Sequence, residues 1–122
     1  AVWGLSFKPG TDDMRNAPSI NLINNLIQSG AEVVAHDPIA IETAKEELPE
    51  AVSFNKDQYY ILDGADALAV VTEWKKFRNP NFEKMKELMN NPAVFDGRNI
   101  YDPFKLQELG FYYEGIGRST GE

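Results

Sequence analysis

The sequence predicts an α/β chain: a three-layer α/β/α sandwich on a mostly parallel, Rossmann-like sheet, in strand order 3-2-1-4-5 with a sixth strand after them. Three observations predict it. Short apolar runs alternate along the whole chain with stretches whose apolar residues recur at helical spacing. The run ALAVVT, 67–72, is continuously apolar, as a strand covered on both faces requires. Glycine, proline, asparagine and aspartate fall between the runs, where turns and helix ends need them. Such alternation calls for right-handed crossovers and helices on both faces.

The elements follow in order. AVWGLSF, 1–7, reads as the first strand, and because the chain opens inside it, the sequence is expected to be a piece of a longer protein. Asn16, Ala17 and Pro18 have the look of a cap followed by a first-turn proline, Ile20, Ile23, Leu26 and Ile27 share a helix face, and Gly30 closes that helix. AEVVAHD, 31–37, is a second strand, IAIETAKEEL, 39–48, a helix, and VSF, 52–54, a short third strand. Asp57 caps a brief helix through Leu62 that ends at Gly64, before the ALAVVT strand. Asn79 and Pro80 open a helix with Phe82, Met85, Leu88 and Met89 on one face. AVFD, 93–96, is the fifth strand; Asp102 and Pro103 begin a helix with Leu106 and Leu109 inward and Gly110 at its end; FYYEGIG, 111–117, is the sixth strand. Residues 1–118 form one domain and 119–122 a loose tail.

Composition narrows the chemistry. The chain has 122 residues, 43% of them hydrophobic and 25% charged, which suits one domain with a core that stands without disulfides or a structural metal. It has no cysteine and one histidine, which excludes a thiol nucleophile, zinc-thiolate sites and histidine-rich metal sites. A net charge of -7 repels nucleic acid and anionic lipid, although a few cations converging at a cleft still hold a small anion. No apolar run approaches the ~20 residues that span a bilayer, and with no basic-then-apolar leader the chain reads as soluble and cytoplasmic.

In open parallel sheets, ligands bind beyond the carboxyl ends of the strands, near the reversal of strand order. Those ends fall at Phe7-Lys8, His36-Asp37, Thr72-Glu73-Trp74 and Asp96-Gly97-Arg98. With strands 1, 4 and 5 adjacent, Lys8 and Arg98 should leave the sheet about 10 Å apart, close enough for one diphosphate to touch both. The stretch GLSFKPGTDDMR is not a standard phosphate loop, since Gly4 and Gly10 match neither the dinucleotide nor the Walker spacing. Each candidate has a plainer reading. Lys8 is either an anion contact or a solvated loop lysine; Asp12 and Asp13 read as turn formers ahead of metal ligands. Arg15 either reaches a ligand or a neighbouring domain or is an exposed first-turn arginine, and Arg98 follows a glycine where loops aim side chains. His36 reads as packed ahead of catalytic. Asp37 reads as a turn and helix-start residue ahead of a ribose ligand. Trp74 either lies over the site or covers a helix end.

GLSFKPGTDDMRNAPS, GAEVVAHDP, ADALAVVTEWKKF, VFDGRNIYDP and LGFYYEGIGR resemble, in order and spacing, the C-terminal domain of UDP-glucose 6-dehydrogenases of the UDP-glucose/GDP-mannose dehydrogenase family. The resemblance covers nearly the whole chain and is nearer the UDP-glucose enzymes than the GDP-mannose ones, with UDP-hexosamine relatives as the alternative. It implies an enzyme in which an N-terminal domain carries NAD and a catalytic cysteine, a long helix joins the halves, and this domain binds UDP. UDP-glucose passes through a thiohemiacetal and a thioester to UDP-glucuronate, consuming two NAD. By family pattern, Phe7, Lys8 and Arg98 contact substrate and Arg15 reaches the NAD side of the cleft. The implied partners are a UDP-sugar, the N-terminal NAD domain and, in the full-length enzyme, further copies of itself. Because the cysteine and the dinucleotide loop are not in this sequence, the fragment alone is expected to bind nucleotide sugar without oxidising it.

Two readings from other classes compete. A phosphoacceptor signalling domain would use Asp12, Asp13 and Thr72, but it needs an aspartate after strand 3, where the sequence reads SFNKD, and a lysine where Gly97-Arg98 stand. A noncatalytic assembly module would use its exposed aromatics to pack on a partner.

Overall fold

A computed structural model of the chain describes residues 1–115 and the backbone of residues 118–119. Among these, one sheet runs in the order β3-β2-β1-β4-β5-β6-β7, with β1 at Val2–Trp3, β2 at Val34–His36, β3 at Ser53–Phe54, β4 at Leu68–Val70, β5 at Ala93–Asp96, β6 at Tyr112–Gly115 and β7 at Arg118–Ser119. The first six strands are parallel, five of them in the expected order and β6 added beside β5, with Trp3 opposite His36 on one side and Val70 on the other. Strand β7 pairs antiparallel with β6, Ser119 opposite Glu114, so this residue of the expected tail is in the sheet; residues 120–122 lie outside the described residues.

Alternation along the strands divides the core between two faces. Trp3, Val70, Val94 and Tyr113 point to one face, under α3 (Lys75–Arg78), α4 (Phe82–Leu88) and α5 (Pro103–Glu108). Val2, Ala35 and Val71 point to the other, under α1 (Pro18–Gln28) and α2 (Ile41–Glu47). That second layer spans only part of the sheet. Phe95 of β5 and Tyr112 of β6 remain 40% and 44% exposed, beside an open apolar groove of about 1210 Å³ lined by Leu22, Leu26 and Val71.

Local chemistry explains the element ends and several corrections to the expected ones. The first strand stops at Trp3 rather than Phe7, because the chain turns out at Gly4, with φ +96°, and the Leu5 N–H bonds the Asp37 carboxylate instead of a neighbouring strand. Helix α1 starts at Pro18 after Ala17, with no side-chain cap; Asn16, the expected cap, has φ 57° and lies outside the helix. Its C-terminus is as expected: Gly30, with φ +92°, donates to Ile27 O while Ala31 donates to Leu26 O, the two bonds of a Schellman ending. Asp57 accepts from the N–H groups of Tyr59 and Tyr60, starting a single 3-10 turn at Tyr60–Leu62. The cap of α4 is Asn81, which accepts from Lys84 N–H, and not Asn79, because α3 already occupies the chain through Arg78. Helix α5 begins as expected at Asp102, whose carboxylate accepts from Phe104 N–H.

Candidate functional site

The segments leaving the carboxyl ends of β1, β4 and β5 are tied into one rim. A Cβ on Gly4 would lie 2.5 Å from Thr72 Cβ, so only glycine lets the exits of β1 and β4 approach this closely. The buried Thr72 hydroxyl donates to Ser6 O at 2.7 Å, and the buried Ser19 hydroxyl, in the first turn of α1, donates to Leu5 O at 2.6 Å. Asp37, at 2% exposure, accepts from Leu5 N and more weakly from Ser6 N through one oxygen, and from Ile39 N and Ala40 N through the other. Both oxygens are thus consumed by backbone. The ribose reading of Asp37 fails on that ground, and the turn-forming one stands.

Arg98 lies across this rim. Its Nε donates to Val71 O at 3.0 Å and its Nη2 to Phe7 O, a residue 91 positions away in sequence; the guanidinium carbon sits 5.7 Å from the Phe7 ring centre, and Glu73 is 3.8 Å from Nε. Phe7 is 47% exposed, and Lys8, next along the chain, is exposed on the same loop, its carbonyl accepting from the Ser6 hydroxyl at 2.9 Å. The loop is closed by Phe7 N donating to Asp13 O at 3.1 Å. The structure therefore brings Phe7 and Arg98 into contact on one rim, with Lys8 beside Phe7 on the loop that leaves β1.

Arg15 lies at the far end of the same loop, where its side chain meets Asp13. It is 87% exposed and paired bidentately with Asp13, 2.8 Å at the closest. This pairing holds the Asp13 carboxyl down at about 2, with Arg15 as the main cause, and raises Arg15 in turn. Asp13 also accepts from Arg15 N–H, as a turn-forming aspartate does, while Asp12 accepts from the Thr43 hydroxyl of α2 at 3.0 Å. The two acids serve different partners, and among the described residues no three His, Cys, Asp or Glu side chains gather as a metal site.

His36, at the end of β2, is packed rather than presented. It is 1% exposed, its Nδ1 is 2.9 Å from Asn55 O and its Nε2 is 3.1 Å from the Lys76 ammonium. Donation to Asn55 from Nδ1 leaves Nε2 to accept from Lys76, which describes a neutral ring. Burial, aided by Lys76, lowers its pKa. Trp74 is half-buried against the α3–α4 side of the core, and its indole N–H has no partner among the described residues.

A family model described as the UDP-glucose/GDP-mannose dehydrogenase family, UDP binding domain, matches residues 1–103. The chain belongs to that family. This UDP binding domain is 50% identical over 123 residues to a UDP-glucose 6-dehydrogenase of Pseudomonas aeruginosa, covering 97% of the chain and 27% of that protein. Among solved structures it is similar to an NDP-N-acetyl-D-galactosaminuronic acid dehydrogenase from Methanosarcina mazei Go1, with a TM-score of 0.83 at 30% identity, covering 98% of the chain and 24% of that protein. It is also similar to a UDP-glucose dehydrogenase from Pyrobaculum islandicum, with a TM-score of 0.76 at 32% identity, over 93% and 24%. The domain thus spans about a quarter of the length of these relatives.

Membership removes the signalling reading, and the structure adds a reason: Thr72, which a phosphoacceptor site would expose, has no exposed surface. Sequence reasoning missed Ser6 and Ser19, and it named Thr72 and Asp96 as strand ends without finding the bonds by which they shape the UDP binding domain's rim. The one signal available was a polar residue closing a buried apolar strand, as Thr72 closes ALAVVT and Asp96 closes AVFD.

Proposed function

We propose that Phe7, Lys8 and Arg98 hold the UDP part of a nucleotide sugar, and that the chain is the substrate half of an NAD-dependent UDP-glucose 6-dehydrogenase making UDP-glucuronate. The observation that carries this is the Arg98 guanidinium lying against the Phe7 carbonyl, on the rim where β1, β4 and β5 end. A guanidinium has five N–H donors, and Val71 and Phe7 take two, leaving the rest for a diphosphate. Each charge-assisted bond of that kind contributes about 1.5–3 kcal/mol. Lys8 adds a second cation on the same loop, and the Phe7 ring offers an apolar face to the base or ribose.

Within this chain the group that would reach NAD is Arg15, exposed at the end of the Phe7-Lys8 loop, with the guanidinium donors that Asp13 does not take. NAD supplies a hydride acceptor when bound. With no dinucleotide glycine pattern and no cysteine in the sequence, the second domain of the full-length enzyme supplies the rest of the cofactor site and the nucleophile. On this reading the full-length enzyme works as a homo-oligomer in the cytoplasm, with no membrane partner and no nucleic-acid partner, the net charge of -7 opposing polyanions.

Calorimetry with UDP tests the reading. Arg98→Ala should weaken binding at least about tenfold, the loss of roughly 1.4 kcal/mol, and unchanged affinity would leave Arg98 a surface residue. With UDP-glucose and NAD the chain alone should form no NADH, and turnover would refute the assignment of nucleophile and cofactor to another domain. Similarity to the Methanosarcina enzyme favours a second reading, a UDP-N-acetylhexosamine as substrate. Competition between UDP-glucose and UDP-N-acetylglucosamine for the full-length enzyme separates the two.

A further inference from the structure

Asp96, the last residue of β5, is 2% exposed and has no role in the substrate trio. One of its oxygens accepts from Arg98 N–H at 3.1 Å, and the other accepts from Tyr101 N–H and from the Tyr113 hydroxyl, both at 2.9 Å. Around it the chain makes a tight loop. Gly97 N–H donates to Val70 O at 2.8 Å, a Cβ on Gly97 would lie 3.0 Å from that oxygen, and Asn99 has φ 54°. The backbone of Arg98 is thereby pinned from below by β4 and from within by a carboxylate, which sends its side chain to Val71 O and Phe7 O. Tyr113, fully buried on β6, holds the carboxylate from the next strand.

We propose that Asp96, held by Tyr113, is the positioning residue that aims Arg98 at the diphosphate. This rests on the reading of the rim as a UDP site. Chemistry distinguishes positioning from charge. Asp96 is an anion beneath a site for an anion, so if it acted through charge alone, neutralising it would tighten UDP binding. As a positioning group its neutralisation weakens binding. Asparagine has one acceptor oxygen for two backbone donors on opposite sides, so its NH2 must face either Arg98 N–H or Tyr101 N–H.

The test is UDP calorimetry on the 122-residue chain at fixed salt, with Asp96→Asn, Tyr113→Phe, Arg98→Ala and both double variants, together with the Arg98 Nε–H resonance of each free variant that keeps Arg98. Expected losses are about tenfold for Asp96→Asn and about threefold for Tyr113→Phe, and neither variant should weaken binding further once Arg98 is gone. Both should move the Arg98 Nε–H resonance without ligand. Tighter or unchanged binding in Asp96→Asn, or equal losses with and without Arg98, overturns the proposal. If Asp96→Asn does not fold, Tyr113→Phe, which leaves the charge intact, decides by the same criteria. If the unaltered chain shows no UDP binding, the nucleotide reading fails separately, and the resonance decides: displaced in Tyr113→Phe, the aiming of Arg98 stands; unmoved, it falls.

Discussion

Replacing Asp37 by alanine should be among the most damaging single changes in this domain. The carboxylate joins two segments, Leu5-Ser6 at the exit of β1 and Ile39-Ala40 before α2, and three of its four contacts are 2.8–2.9 Å while the fourth, to Ser6, is 3.5 Å. Alanine leaves the buried Leu5 and Ala40 N–H groups without their acceptor. An unpaired buried donor costs about 1–3 kcal/mol, so the two together, with partial repair by water, should cost about 3–4 kcal/mol. That is a large share of the roughly 5–15 kcal/mol that stabilises a typical domain. Urea denaturation with circular dichroism measures it directly, and thermal melting should show a drop of about 10 °C or more. Asp37→Asn keeps one acceptor oxygen, hence one of the two segments, and should fall between. A loss below about 1 kcal/mol in the alanine variant would show that water replaces the carboxylate. The account of how the Phe7-Lys8 loop is held in place would then be wrong.

Glycine substitutions should separate backbone strain from crowding. Gly4→Ala combines a φ of +96° with a Cβ 2.5 Å from Thr72 and should cost more than about 3 kcal/mol, whereas Gly10→Ala, with φ +84° and open space around it, should cost about 1; equal costs would mean the β1–β4 approach is not tight. His36 predicts a pH dependence. Burial lowers its folded pKa, so the unfolded chain takes up the proton first, and stability should fall as pH drops through about 6.5 toward the lower folded value, by at most about 1.4 kcal/mol per unit. The urea midpoint of His36→Gln should lose that part of the slope between pH 6.5 and 5.5, and a slope like the parent's would assign it to carboxylates.

Much of the fold was legible in the sequence because it depends on local pattern. ALAVVT and AVFD mark β4 and β5 through apolar continuity, Gly30 and Gly110 end helices with φ of +92° and +93°, and Asp102 caps α5. The short α3 escaped notice, since Lys75–Arg78 has only Phe77 buried and no periodicity to detect. The true caps escaped for a similar reason: Asn79 and Asn81 are equivalent as residue types, and only the end of α3 decides between them.

What the sequence determined by itself was the order of the strands and hence the rim on which Lys8 and Arg98 emerge, because alternating apolar runs and right-handed crossovers leave few topologies open. The tertiary structure decided what those side chains do there. That the Asp37 carboxylate reaches back to Leu5, that the Tyr113 hydroxyl bonds Asp96, and that Arg98 rests on the Phe7 carbonyl are contacts between residues 32, 17 and 91 positions apart. Hydrogen bonds of that range leave no periodic trace in a sequence; they exist only once the sheet has brought the strand ends together.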